Sequence, residues 1–401
     1  MNTLRKQFDP VDSTDAIQKA IDSGAWRVVI PYTGRDWVVR PLRLASNQRI
    51  EFEPGVVLAA KPGAFHGKYD CLFAGDGVLG VALQGYGATL RMRKGDYVNP
   101  AQGYTPSEHR HAIALRGAMH IRIQGLAISH SGGDGLYVAS DAKDHSLPCE
   151  YTSVEDCTFV GNHRQGISII SARNAAIDNC LIRGTWGAQP GFGIALECNR
   201  PVEQLSGIRI SDCVADDNAG GGLLIYLGNM TSESRAVSIR FERCLVRNSP
   251  GITVASMECK TTPGGCIWFS DCVVESQRGP ALKTRWKTGS GPRLRFNNCH
   301  FQSADGVHPL NLWVDGRGLV SDDGGMWFSN CYAYQGNGQR VLDIGPRGDG
   351  LYKLPYDVIG DITVVGPPHK ASDPDDKPDE WWAARWFRDL KIIREIPKGG
   401  A

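Results

Sequence analysis

The sequence predicts an all-β chain: a single-stranded right-handed parallel β-helix, closed by short N-terminal and C-terminal capping helices. Three observations lead there. A short pattern ending in cysteine recurs along the chain, and a short alternating apolar strand follows each copy. Successive copies lie 23 to 33 residues apart, within the range of solenoids. A leucine-rich horseshoe would carry an LxxLxLxxN signature, which is missing, and a propeller would need four strands per blade.

In chain order, residues 13–23, STDAIQKAIDS, put Ile17, Ala20 and Ile21 on one helical face, with Ser13 or Asp12 as N-cap. This helix is expected to plug the open N-terminal core. The segments ALQG and RIQG place Gly85 and Gly125 where later copies have cysteine. Then follow SVEDC, AIDNC, RISDC, RFERC, WFSDC, RFNNC and WFSNC, ending in Cys157, Cys180, Cys213, Cys244, Cys272, Cys299 and Cys331. Their spacings are 23, 33, 31, 28, 27 and 32 residues. Each cysteine is small and follows an alternating strand, so the seven are expected to stack as a buried, reduced thiol ladder.

The second strands read CLFA (71–74), AIALR (112–116), GLYV (135–138), GISII (166–170), GIALE (193–197), GLLIY (222–226), GITVA (251–255), ALKTR (281–285) and PLNLW (309–313). The tract PPHKASDPDDKPDE (367–380) reads as a polar linker. A closing helix follows, with Pro378 at its start and Trp382, Trp386 and Ile393 near one face. The expected organisation is therefore a β-helix with its N-terminal cap over 1–366, and a linker and terminal helix over 367–401.

Composition narrows the function. At 401 residues the chain exceeds the usual single core, a limit that stacked repeats escape. Its formal net charge of +1 argues against a nucleic-acid partner, which calls for a basic excess. No stretch approaches the roughly 20 apolar residues of a membrane span, and the opening MNTLRKQFDPVDSTD has no apolar signal-peptide core. Twelve cysteines without a CxxC pair make a zinc ribbon a poor fit, so neither metal nor cofactor is expected.

The segments DSTDAIQKAIDSG, VVIPYTG and PLRLASNQRIEFEPGVVLAA resemble the N-terminal region of polygalacturonase-like glycosidases of the pectin-lyase fold. HAIALRG through SGGDGLYV, HRQGISIISARN and GFGIALECN resemble bacterial right-handed β-helix repeat proteins. The resemblance covers most of residues 10–350 and implies a carbohydrate substrate. Polygalacturonases carry Asn-Thr-Asp, Asp-Asp, Gly-His-Gly and Arg-Ile-Lys motifs. Here Gly132-Gly133-Asp134 resembles the first, with Asp134 at its acid. Arg164-Gln165 stands at the second, Phe192 at the histidine, and Leu282-Lys283-Thr284 resembles the last several coils late. The related repeat group often has Asp-x-Glu where this chain has Ala195-Leu196-Glu197, which implies a role for Glu197.

Strand alternation ranks the candidates. Numbered from the small residue that opens each second strand, positions +1 and +3 point inward, +2 and +4 outward, and −1 lies at the turn edge. The −1 column reads Asp70, His111, Asp134, Gln165, Phe192. It sets His111 between two carboxylates roughly 9–10 Å apart, the upper end of the inverting-glycosidase range. Arg110, His163 and Arg164 crowd the same edge. The bland reading is turn capping, a common use of Asp before Gly. The +4 column includes Arg116, Glu197, Tyr226, Arg285 and Trp313, and the +2 column Tyr137, Ser168, Lys283 and Asn311. Outward aromatic and basic side chains suit a sugar polymer, although scattered surface aromatics are also ordinary. Asp134 and Glu197 differ by five strand positions, about 16 Å, too far for a direct pair. The 139–153 loop, with Asp141, Asp144 and His145, is the closer source of a partner for Glu197.

The favoured expectation is a glycoside hydrolase with Asp134, Glu197, His111 and Asp70 as catalytic candidates. Arg110, Tyr137, His163, Arg164, Gln165, Tyr226, Lys283, Arg285 and Trp313 are the substrate-binding ones. A lyase acting on a uronic-acid polymer would draw instead on Lys283, Arg285, Tyr226 and His111. A non-catalytic carbohydrate-binding spike is the third possibility.

Overall fold

The computed structural model describes residues 3–255, 263–285, 291–315, 325–336, 338–347, 356–367, 369–371 and 376–396. Short parallel strands dominate, and no helix among the described residues is long and apolar enough to cross a membrane. The chain divides into two compact units, Met1–Ala195 with Asn218–Gly220, and Leu196–Asp217 with Gly221–Ala401.

In the first unit the helix Thr14–Asp22 buries Ile17 and Ile21 against the N-terminal end of the core. Ser13 holds the N-cap position, but Asp12 does the capping: its Oδ1 accepts the Thr14 N–H at 3.0 Å. The second strands Leu42–Arg43, Phe73–Asp76, Ile113–Arg116, Leu136–Ala139 and Ile167–Ile169 pair in parallel, one per coil. Ala74, Ala114, Tyr137 and Ser168 form one outward column, and Asp76, Arg116 and Ala139 another. The register is the expected one except in the first of these coils, where Phe73 and not Leu72 pairs with Ile113. Cys71 therefore stands beside His111, and Asp70 lies one residue outside the column expected to set His111 between two carboxylates. Leu136, Val138, Ile167 and Ile169 fill the core between them.

In the second unit Gly221–Tyr226, Ile252–Ala255, Leu282–Arg285, Leu310–Asp315 and Leu342–Arg347 continue the same scheme. Phe241, Phe269, Phe296 and Phe328 stack in its core with ring centroids 4.8, 4.9 and 5.0 Å apart, about the spacing of neighbouring strands.

All seven ladder cysteines are buried as free thiols. Several donate to carbonyls of the preceding coil, such as Cys299 Sγ to Phe269 O at 3.4 Å. The residue before each cysteine is left-handed: Asp156, Asn179, Asp212, Arg243, Asp271, Asn298 and Asn330 have φ of 49° to 56°. Six of the seven are Asp or Asn, whose short polar side chains tolerate this conformation. The same side chains link coils, Asn179 Nδ2 to Asp156 Oδ1 at 2.8 Å and Asn298 Nδ2 to Asp271 Oδ1 at 2.7 Å.

This corner corrects the expectation for Gly125. Gln124 pairs with Glu155 and Ala127 with Thr158, so Gly125, at φ +69°, matches Asp156, while Leu126 matches Cys157. Glycine stands there for its backbone conformation, not as a small inward side chain. Gly85 is inward; a Cβ on it would lie 2.8 Å from Leu126 and 3.0 Å from Phe52.

At the C-terminus the helix is short, Asp379–Trp386. The chain then turns into a strand, Phe387–Glu395, that pairs in parallel with Tyr356–Val365. Ile393 is therefore on a strand and not on the helix. Pairing satisfies the open edge of the preceding strand, which a longer helix would leave bare. Asp379 is fully buried and accepts the Val341 and Leu342 N–H groups at 2.9 to 3.2 Å.

Candidate active site

The turn edge of the first unit is not an open rim. The 92–112 connection folds over it, with the helix Lys94–Tyr97 and an antiparallel bridge from Arg110 to Gly132. The fit is close enough to require glycine: a Cβ on Gly133 would lie 2.6 Å from Glu108 O and 2.9 Å from Arg110 N. As a result Asp134, expected at an exposed rim, is fully buried together with His111, Arg110 and Gln165.

Asp134 and His111 form the centre. The Asp134 N–H donates to His111 Nδ1 at 2.9 Å, which leaves that nitrogen without a proton and places the neutral ring's hydrogen on Nε2. Asp134 Oδ1 accepts the Gln165 N–H at 3.1 Å. Oδ2 is buried without a hydrogen-bond partner, 3.5 Å from His111 Nδ1 and 3.7 Å from Arg164 Nη1. Burial raises the Asp134 pKa to about 7, against the pull of Arg164. Burial likewise holds His111 well below its usual range, helped by Arg164, Arg116 and His109. The carboxyl is thus poised near neutrality beside an uncharged imidazole.

Aromatic rings lead outward from this centre. Tyr137 stacks on His111 with centroids 4.4 Å apart, and Arg116 lies 5.7 Å from the Tyr137 ring. His109 is 6.2 Å from His111 and stacks on Tyr69, which is 67% exposed. The negative charge of Glu108 reaches Asp134, His109 and His163. Side-chain atoms of Asn162, His163, Gln165 and Ser168 are buried without partners around the same edge, a polar lining suited to water or a polar ligand.

Several expected site residues are built into the frame instead. Arg110 donates to Phe65 O, His66 O and Thr105 O at 2.8, 3.2 and 2.7 Å, so it staples the covering connection and does not face a substrate. Gln165 Oε1 accepts the Phe192 N–H at 2.7 Å. Asp70 Oδ2 caps its own turn through the Gly67 N–H at 2.8 Å. Asp141 does the same for its loop, accepting from Lys143, Asp144 and Leu147. The group that remains is Asp134, His111, Arg164, His163 and Tyr137, with Glu108, His109, Tyr69 and Ser168.

Sequence reasoning missed Glu108, His109 and Tyr69. The EHRH run just before the strand was the available signal, since it stacks three polar residues ahead of His111. Lys94 was missed too. Its buried ammonium donates to Gly161 O and Asn162 O, both at 3.2 Å, and to Trp186 O, and it lies 3.7 Å from the Trp186 ring.

In the second unit Glu197 ends the strand Phe192–Glu197 and is part-exposed. Tyr226, Ala255, Arg285 and Trp313 share one register column, and Lys283 pairs with Thr253 and Asn311 in the next. The Trp313 side chain lies outside the described residues. Burial lowers the Lys283 pKa, and Arg285 adds to the effect. Among the described residues no three metal-ligating side chains converge.

Residues 99–266 match the family model of the right-handed beta helix region. Solved structures extend that likeness over nearly the whole chain. The mannuronan C-5 epimerase AlgE6 A-module of Azotobacter vinelandii superposes with a TM-score of 0.66 at 12% identity, covering 98% of this chain and 99% of that one. The chain is a right-handed parallel β-helix protein. An exopolygalacturonase from Thermotoga maritima shares the β-helix with a TM-score of 0.51 at 12% identity, over 89% of this chain and 90% of its own. A capsular polysaccharide depolymerase, the tailspike of Acinetobacter baumannii bacteriophage Fri1, matches at 0.56 and 13% identity. That match covers 94% of this β-helix protein, which spans only 63% of the tailspike. No curated protein sequence matches it.

Proposed function

We propose that this β-helix protein is a carbohydrate-active enzyme and that it cleaves a glycosidic bond, with Asp134 as the general acid. The observation that carries the reading is the Asp134 carboxyl: buried, raised to about 7, and with Oδ2 lacking any hydrogen-bond partner. A glycosidase acid must hold a proton at working pH and deliver it to the leaving oxygen, which calls for a raised pKa. Substrate entry requires Arg164, whose side chain is 14% exposed, to turn outward and open the way to Oδ2. Glu108 then serves as the second carboxyl group, on the covering connection, and Tyr69 and His109 offer a ring platform for the sugar. The neighbours named for polysaccharide depolymerase and exopolygalacturonase activity support the substrate class.

A second reading is proton abstraction from a uronic acid, by elimination or epimerisation. Lys283 favours it, because a lowered pKa gives the amine a larger neutral fraction, and Arg285 beside it can hold a carboxylate. One experiment separates the readings. The protein is incubated with a panel of neutral and acidic polysaccharides, and reducing ends and unsaturated-uronate absorbance are followed together. New reducing ends without absorbance support hydrolysis; both signals support elimination. Neither signal on any polymer overturns cleavage and leaves epimerisation, read by the proton spectrum of the polymer, or binding alone.

A further inference from the structure

On the outer face of the second unit, on a different sheet from the strand that carries Lys283, arginine and tryptophan alternate coil by coil. Arg240 on Val237–Glu242 pairs with Trp268 on Gly265–Ser270, which pairs with Arg295 on Arg293–Asn297, which pairs with Trp327 on Met326–Tyr334. The side chains follow the register. The Arg240 guanidinium lies 4.8 Å from the Trp268 ring centre, and Arg295 lies 5.9 Å from Trp268 and 5.2 Å from Trp327. Trp327 is 40% exposed and Arg240 is exposed.

We infer that this column binds a linear acidic polysaccharide by its carboxylates, whether or not the chain cleaves it. Four points lead there. First, neither Arg240 nor Arg295 has a carboxylate partner among the described residues, whereas Arg293 and Arg388 on the same face share Asp357 at 2.8 and 3.0 Å. Second, the indoles fix the guanidinium planes, so their donor edges are pre-organised for bidentate contact with carboxylates. Third, the two guanidiniums stand two coils apart, roughly 9–10 Å along the helix axis. An extended 1,4-linked uronate chain turns alternate carboxylates to one side, and its two-residue advance is close to that spacing. Fourth, one further coil away Arg209 pairs with Arg240 and extends the basic column. A nucleic-acid strand is the poorer fit, since its phosphates do not repeat at the coil pitch and the chain's net charge is only +1.

The test is affinity electrophoresis of the full chain in gels containing alginate, polygalacturonate or neutral dextran, with a labelled single-stranded DNA oligonucleotide measured by anisotropy. Wild type should be retarded by the acidic polymers and not by dextran. R240Q/R295Q should weaken that binding at least about tenfold, as lost charge-assisted hydrogen bonds imply. Arg122→Gln, at an exposed arginine of the first unit that pairs with Glu155 at 3.5 Å, should bind as wild type, so that a loss in the double variant belongs to this column. R240K/R295K keeps the charge and loses the planar fork; it should bind about threefold or more weakly and serves if the glutamine pair fails to fold. Equal retardation by dextran, tighter binding of DNA than of either acidic glycan, or wild-type binding by both double variants overturns the inference.

Discussion

Asp134 shows how burial sets chemistry at a single residue. Its folded pKa of about 7 lies above the ordinary carboxylate value of about 3.9, so the folded state holds its proton more tightly than the unfolded chain. Stability attached to this group is therefore complete below about pH 4 and is lost as pH rises toward 7. Asp134→Asn removes the ionisation and keeps an oxygen for the Gln165 N–H. Its melting temperature should match wild type at pH 4 and exceed it at pH 8, read by a thermal scan at both. Turnover on whichever polymer the panel identifies should fall by about 100-fold or more, the usual cost of a lost acid or base. Full activity in this variant would reduce Asp134 to a turn residue.

At the scale of elements, the corner before each cysteine decides what was legible. The cysteine spacing gave away the coil, and the alternation of strands such as GLYV and ALKTR gave their inward and outward faces, because both are local. The Asp or Asn before six of the seven cysteines was equally visible, yet its meaning is a backbone angle, which explains why Gly125 was matched to the wrong partner. Asn298 tests this. Asn298→Gly should be nearly neutral, whereas Asn298→Val should cost about 1–2 kcal/mol for a β-branched residue forced left-handed, measured by urea denaturation. The adjoining thiols should resist labelling in native protein and react fully after denaturation without reductant; failure to react then would reveal disulfides.

The covering connection was illegible for the opposite reason. Nothing in the spacing of residues 92–112 says that Lys94 will reach the carbonyls of 161, 162 and 186, since those contacts span 67 to 92 residues. They convert Asp134 and Arg110 from rim residues into buried ones. Lys94→Met takes the ammonium from the Gly161 and Trp186 carbonyls, while Asn162 O keeps the Trp186 N–H, and should destabilise by about 2 kcal/mol. Limited proteolysis should then cut within 92–112 while wild type stays intact; equal resistance would show that the connection holds without this anchor.

Across the molecule, each coil is held by the coils beside it, so damage inside one is felt by both neighbours. Phe296 stacks between Phe269 and Phe328 and meets Phe301 edge-on at 5.6 Å. Phe296→Ala should cost about 3–5 kcal/mol, seen as a lower denaturation midpoint for the second unit. A loss under about 1 kcal/mol would mean the ladder relaxes around the cavity.

The left-handed corner has one more consequence, in how such a molecule can change over generations. The seven cysteine-bearing coils pass through the same joint, with the same backbone angle, and the cysteine ladder runs along it. Coils with matching joints are interchangeable parts. A duplicated or deleted segment that begins and ends at this corner leaves the strands on either side in register, and a segment cut anywhere else does not. Length can therefore drift in whole coils here, while novelty collects at the opposite edge, where connections such as 92–112 are free to grow.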